Sequence, residues 1–191
     1  MVIGDVSGHG IPSALLMAAA RSSLRQRVLI GGEIADIVSD VNRQITRDVE
    51  DSGRFMTLFY CEIDAQKRFV KWVRAGHDPA IFYDPHKDIF EELKGAGMAL
   101  GVDENWTYAQ DHKAGLETGQ IIVLATDGIW EAHNARGEMF GKDAFYENIR
   151  RHAGKRANQI LEAVYAELED FQRGVEPEDD VTLVVIKIDS K

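Results

Sequence analysis

Asp5 lies in the segment Gly4-Asp5-Val6-Ser7-Gly8-His9-Gly10, directly after the apolar start Met1-Val2-Ile3. A carboxylate at a strand end, beside a loop nearly stripped of side chains, brings a hard cation and a phosphate close to the backbone. Two further acidic positions share this setting. Asp127 follows the apolar run Ile121 to Ala125, and Asp179-Asp180 precede the run Val181 to Ile188. An aspartate at a strand end often serves only as a turn former or helix cap. That bland role weakens for Asp127, because Thr126-Asp127-Gly128 ends a buried strand and Gly128 permits close approach. It weakens again for Asp179-Asp180, where adjacent like charges abut a buried strand and call for a compensating cation. Carboxylates, carbonyls and water are the ligands of Mg²⁺ and Mn²⁺. The three strand ends therefore read as one oxygen-rich metal site assembled from distant sequence.

Other chemistries recede on the same grounds. The six histidines show no HxxxH or HxH spacing, and the single cysteine, Cys61, excludes an intramolecular disulfide and a multi-cysteine zinc site. His9 and His77, both beside glycines, read as structural histidines. Residues 4–10 have no lysine in the Walker A position, Ser7 does not sit in Gly-x-Ser-x-Gly, and Cys61 lies inside an expected strand with no phosphate-cradling loop after it. Metal-activated water is the mechanism left standing.

The elements that must position these residues follow from periodicity. Residues 11–31 read as a helix, with Leu15, Leu16, Ala19, Ala20, Leu24 and Val28 at helical spacing, Pro12 near the start and Gly31-Gly32 as the stop. A second helix is expected over 33–50, with Ile34, Ile37, Val38, Val41 and Ile45 on one face. Residues 55–64 and 68–74 are expected to form an antiparallel hairpin around the polar interruption Ala65-Gln66-Lys67. Ala80 to Tyr83, Ile89 to Leu93 and Trp106 to Asp111 are further strand candidates. Residues 120–126 read as a buried central strand, 142–152 and 158–171 as helices, and 181–188 as the closing strand.

Strands and helices come in blocks, so the class is α+β with mainly antiparallel sheet, two packed sheets with helices outside. The chain has 191 residues, 45% of them hydrophobic, which suits one domain with a sizeable core. The net charge of −10 and a pI of about 5.0 argue against nucleic acid or an anionic membrane as main partner. No apolar run approaches the roughly 20 residues of a membrane span, and no signal peptide is visible, so the expected location is the cytoplasm.

The motifs also carry a resemblance. Gly4-Asp5-Val6-Ser7-Gly8-His9-Gly10-Ile11-Pro12-Ser13-Ala14-Leu15-Leu16-Met17-Ala18 resembles the signature of the SpoIIE/RsbU-type serine phosphatases, the bacterial branch of the protein phosphatase 2C-like superfamily. The likeness continues in family order. It runs through Phe55 to Tyr60, Ala75-Gly76-His77-Asp78-Pro79, Ala99-Leu100-Gly101-Val102, Ala125 to Ala132, and Asp179-Asp180-Val181-Thr182. The resemblance implies an αββα sandwich, a binuclear Mn²⁺ or Mg²⁺ centre and hydrolysis of phosphoserine or phosphothreonine on a protein. The implied substrate is a phosphorylated anti-sigma-factor antagonist of the STAS type, and the implied input is an upstream sensor or receiver domain. Carried over by motif, Asp5 would bridge two metals, the Val6 carbonyl would bind the second, and Asp127 and Asp179 would complete the first. The helix after Gly10 would correspond to the regulatory switch helices of the branch.

Departures from the pattern qualify this picture. In the family, strands and an acidic segment precede the Gly-Asp-Val-Ser-Gly-His-Gly block, and that segment supplies a ligand to the second metal. On this reading the chain lacks the N-terminal part of the domain, its second metal site is incomplete, part of a sheet is left unpaired, and activity is expected to be poor or absent. Ser7 stands where eukaryotic-type relatives carry a histidine, so no general acid is assigned. Asp78 replaces the asparagine usual after Ala-Gly-His. The alternative of another class is a non-catalytic phosphatase-like binding module; a third is a phosphohydrolase for a small molecule.

Overall fold

The computed structural model describes residues 1–189. Its elements run β1 (Val2–Val6), α1 (Ile11–Ile30), α2 (Ile34–Val49), β2 (Met56–Asp64), β3 (Phe69–Ala75), β4 (Ala80–Asp84), β5 (Ile89–Leu93), β6 (Asp111–Ala114), β7 (Ile121–Ala125), α3 (Gly141–His152), α4 (Ala157–Phe171) and β8 (Leu183–Lys187). They form two antiparallel four-stranded sheets, ordered β1-β2-β3-β6 and β5-β4-β7-β8. The α+β class with two antiparallel sheets and helices is thus the one expected. Two compact units divide the chain. The first comprises Met1–Pro79 with Lys94–Gly115, and the second Ala80–Leu93 with the chain from Leu116 onward.

Each unit has the same internal logic. In the first, β1 and β2 are antiparallel neighbours joined through the helix pair α1–α2; in the second, β7 and β8 are antiparallel neighbours joined through α3–α4. Each unit also has one hairpin, β2–β3 or β4–β5, closed by a similar turn. In the first turn the Asp64 carboxylate accepts from the Gln66 and Lys67 amides, both at 3.0 Å, and Arg68 takes a left-handed φ of 50°. In the second the Asp84 carboxylate accepts from the His86 amide at 3.0 Å, and Asp88 has φ 53°. An Asx-type start followed by one left-handed residue is a standard way to close a short hairpin.

The helix pairs cover one face of their sheets. In the first unit Ile34, Ile37, Val38, Val41 and Ile45 of α2 pack with Val6, Met56, Leu58, Tyr60, Val73 and Ala75. All five expected core positions of α2 are buried. In the second unit Phe145, Ile149, Ile160, Val164 and Leu168 pack with Ile81, Tyr83, Ile121 and Val123. An aromatic column, Tyr83–Phe90–Tyr146, with centroids 4.2 and 4.7 Å apart, ties α3 to β4 and β5.

Two expectations need correction. The strand expected over 106–111 begins only at Asp111 and runs to Ala114, pairing with Phe69–Trp72. Tyr108 falls instead in an irregular stretch anchored by the Ser39 hydroxyl, which accepts from its amide at 3.1 Å. In α1 the core face is Ser13, Leu16, Ala20 and Leu24, whereas Leu15 and Val28 are exposed. Apolar residues surround this helix, so spacing alone could not select its buried stripe.

Asn42, fully buried on α2, fastens the loop after Leu100. Its amide donates to the Asp103 carbonyl at 2.8 Å, and its oxygen accepts from the Gly101 amide at 3.1 Å. Asn42→Ala would strand both backbone groups. The expected loss is about 2 kcal/mol, a fall in melting temperature of roughly 4–8 °C. Thermal denaturation showing a change below about 0.5 kcal/mol, the range of an ordinary surface substitution, would count against this fastening.

Candidate functional site

Both strands that carry a candidate aspartate end in the same way. At the end of β1 the Ser7 amide donates to the Phe55 carbonyl at 3.0 Å. The return bond, from the Phe55 amide, goes at 3.0 Å to the Ser7 hydroxyl rather than to the Ser7 carbonyl. That carbonyl accepts instead from the Ser13 hydroxyl in the first turn of α1, at 3.1 Å. At the end of β7 the Thr126 amide donates to the Thr182 carbonyl at 3.1 Å, while the Thr182 amide donates to the Thr126 hydroxyl at 2.9 Å. In each case a side-chain hydroxyl takes the ladder position of its own carbonyl. The chain can then turn out of the sheet without leaving a buried donor unpaired.

In the second unit this arrangement gathers Asp127 and Asp179. The Thr126 hydroxyl also donates to the Asp180 carbonyl at 3.0 Å. A Cβ on Gly128 would lie 2.6 Å from that same carbonyl oxygen, so the two backbones approach closer than any other residue allows. Asp127 is half-buried, Asp179 exposed, and both lie beyond the same end of neighbouring strands. The Asp179 carboxylate accepts from the Asp180 amide at 2.7 Å, which tightens the turn. Gly128 and Asp179 also line a cavity of about 280 Å³, together with Glu131, His133 and Glu178.

In the first unit Asp5 and Val6 close β1. Met1 bonds through the main chain to Cys61 of β2 and Ser7 to Phe55 directly before it, so the alternation of an antiparallel pair turns the Val6 carbonyl away from β2. β1 is a terminal strand of its sheet. Gly4 is needed for the close pairing, since a Cβ there would meet the Thr57 carbonyl oxygen at 2.6 Å. Thr57, opposite Asp5 in register, donates its hydroxyl to the Asp5 carbonyl at 3.4 Å and lies 2.9 Å from His77 Nδ1. His77 is buried in the turn after β3, while His9 is exposed.

The candidate donors of each unit, Asp5 and the Val6 carbonyl in the first and Asp127 and Asp179 in the second, are oxygen groups of the kind that hard divalent cations take. Among the described residues no three His, Cys, Asp or Glu side chains already stand close enough to hold a metal ion. Cys61 is buried, and burial pushes its thiol above the ordinary value, so it offers no reactive thiolate. A larger groove of about 890 Å³ in the first unit contains none of the candidate residues. Its charges are mutually satisfied, with Lys71 3.2 Å from both Glu33 and Glu62. Hydrogen bonds from Gln110 and Lys71 hold Glu33 below the ordinary carboxylate range.

Sequence reasoning missed the structural roles of Ser7, Ser13, Thr57 and Thr126, the hydroxyls that fasten the candidate segments within each unit. The available signal was a hydroxyl residue beside an aspartate and a glycine, as in Asp5-Val6-Ser7-Gly8 and Thr126-Asp127-Gly128. Thr57 carried no such local mark.

Comparison with known proteins places this geometry in a family. Residues 1–189 match the family described as Stage II sporulation protein E (SpoIIE). The phosphoserine phosphatase RsbU of Bacillus subtilis (strain 168) is 30% identical over 190 residues, which cover 98% of this chain and 55% of RsbU. The chain thus spans about half the length of that relative. The SiaA-PP2C domain of Pseudomonas aeruginosa superposes with a TM-score of 0.83 at 26% identity, covering 98% of this chain and 76% of that one. RsbX in complex with magnesium shares the fold, with a TM-score of 0.66 at 17% identity over 96% of this chain and 78% of that one. No helix among the described residues is long and apolar enough to cross a membrane. With the family match running through every motif that carries a candidate residue, the chain belongs to the SpoIIE family and has the fold of its PP2C-type phosphatase domains.

Proposed function

We propose that this domain is a metal-dependent protein serine/threonine phosphatase acting on phosphoserine or phosphothreonine of a regulatory protein in the cytoplasm. One observation carries the reading: a single hydroxyl, that of Thr126, sets Asp127 and the Asp179-Asp180 turn at one end of β7 and β8. A named phosphoserine phosphatase with 30% identity over nearly the whole chain supports it.

Asp5, Asp127, Asp179 and the Val6 carbonyl would hold Mn²⁺ or Mg²⁺, two ions in the intact family site. The magnesium of the RsbX complex supports that choice. Such ions supply an activated water and neutralise charge on the transferring phosphoryl group. The chain's own contribution is placement. Ser7 and Ser13 fix the departure of the loop after β1, Gly128 admits the Asp180 backbone, and Thr126 couples the two strands.

The proposed substrate is a phosphorylated anti-sigma-factor antagonist of the STAS type, as the resemblance implies. The proposed regulator is an upstream sensor or receiver domain engaging α1. Ile11, Leu15, Leu29 and Ile30 support this, because they are between 66% and 81% exposed on that helix. In the protein carrying its input domain, Leu15→Glu with Leu29→Glu should abolish the response to input and leave the melting temperature within a few degrees. An unchanged response would dismiss α1 as the contact.

In the protein carrying its input domain, Asp127→Asn and Asp179→Asn should each abolish Mn²⁺-dependent release of phosphate from a phosphoserine protein while the fold persists, since removing a carboxylate relieves repulsion. Phosphate release and Mn²⁺ calorimetry test this together. Full activity in either variant would sink the metal assignment, and a preference for p-nitrophenyl phosphate over every phosphoprotein tested would point to a small-molecule substrate.

Gly128→Ala must push the Asp180 carbonyl away. We expect circular dichroism like that of the unaltered protein and Mn²⁺ affinity lower by about 10- to 100-fold. Equal affinity would show that the close approach does not set the donors.

A further inference from the structure

We propose that His77 is a positioning residue for the end of β1: its Nδ1 holds the Thr57 hydroxyl so that the hydroxyl proton points at the Asp5 carbonyl. The inference rests on the metal reading above for its functional meaning, but its structural content stands on geometry.

β1 is a five-residue strand paired with β2. Its last residues carry two proposed donors, the Asp5 carboxylate and the Val6 carbonyl. A donor at a strand end is held only as well as the last rungs of its ladder, so a side-chain bond at that point adds to its fastening. Thr57 supplies it, standing opposite Asp5 in register with its hydroxyl 3.4 Å from the Asp5 carbonyl oxygen.

The Thr57 hydroxyl has one proton to give, and the Asp5 carbonyl can only accept. The second contact of that hydroxyl, at 2.9 Å, is His77 Nδ1. If Nδ1 were an acceptor, the two would compete for the single proton. With the proton on Nδ1, the imidazole donates to Thr57 Oγ1 and the hydroxyl donates to Asp5. Both contacts are then satisfied only when Nδ1 carries a proton.

The imidazole is itself fixed. His77 is 4% exposed, and its carbonyl accepts from Arg74 Nε. Gly76 bridges to Leu58 of β2 and holds a left-handed φ of 74°, with a Cβ position only 2.9 Å from the Ala99 amide nitrogen. Ala99-Leu100 is pinned in turn by paired bonds between Met56 and Leu100 at 2.8 and 2.9 Å. Two motifs distant in sequence, Ala75-Gly76-His77 and Ala99-Leu100-Gly101, thus converge on the orientation of one threonine hydroxyl.

The test uses Thr57→Val, which deletes the hydroxyl at nearly constant shape, His77→Leu, which deletes the donor, and His77→Asn, whose amide nitrogen replaces Nδ1. Nitrogen NMR of the unaltered protein should find the proton on Nδ1. Thr57→Val and His77→Leu should speed hydrogen exchange of the Ser7 amide by about tenfold, leaving the β7 amides unchanged. They should weaken Mn²⁺ binding by about 10- to 100-fold, with His77→Asn close to the unaltered protein. The double variant should be no worse than either single one, because the two residues act in series. A proton on Nε2 alone, or unchanged Ser7 exchange in Thr57→Val, would overturn the proposal. If the unaltered protein binds no Mn²⁺, the metal reading fails while tautomer and exchange still judge the positioning role. If Ser7 exchange quickens but Mn²⁺ affinity per folded molecule holds in every variant, His77 fastens the strand without positioning a donor, and the proposal is likewise overturned.

Discussion

The substitution of a side-chain hydroxyl for a backbone carbonyl, once at Ser7 and once at Thr126, is the interaction on which the candidate site depends. A sheet demands that each strand return the hydrogen bonds it receives. A chain leaving the sheet sharply cannot do so with its main chain alone. The hydroxyl completes the last rung and releases the carbonyl beside it. At Ser7 the released carbonyl meets Ser13 of α1, and at Thr126 it meets the Ile129 amide of the following turn. Asp127 directly follows the exit at Thr126, and Asp5 is the last residue but one of the strand that leaves at Ser7.

Close approach of main chain to main chain is the second constraint. Gly4 against Thr57, Gly97 against Arg74 and Gly128 against Asp180 all lack room for a Cβ. The packing of the helix faces is tolerant by comparison, since apolar groups of similar volume can exchange there at modest cost. The domain thus joins a forgiving helix-covered face to an unforgiving set of strand exits.

This division explains what could be read in the sequence. α2 was legible because its apolar residues occupy one face and its polar ones the other. α1 was legible as a helix but not in its orientation, because Leu15 and Leu16 are equally apolar and only the fold buries Leu16. The hairpin turns were visible as polar interruptions. The strand near 106–111 was misplaced because Trp106 and Tyr108 suggest a strand by type, whereas both pack against the first core from an irregular segment. The aspartates announced themselves through neighbouring glycines. Thr57 and Asn42 did not, since a lone polar residue in a strand or helix gives no sign of the partner it meets far along the chain.

The shared plan of the two units has a consequence for the order in which structure is gained and lost. The β2–β3 and β4–β5 hairpins close through a few adjacent residues, so their formation costs little chain entropy. The β1–β2 and β7–β8 pairings must each enclose two whole helices. Closing long loops is entropically dearer and slower. Asp5 lies on the first of those pairings and Asp179 precedes the second strand of the other, so the candidate donors depend on closures that cost much chain entropy. A ligand held by the donors of either unit would act as a clasp on the long closure of that unit, turning local fraying at the strand ends into a process opposed by binding.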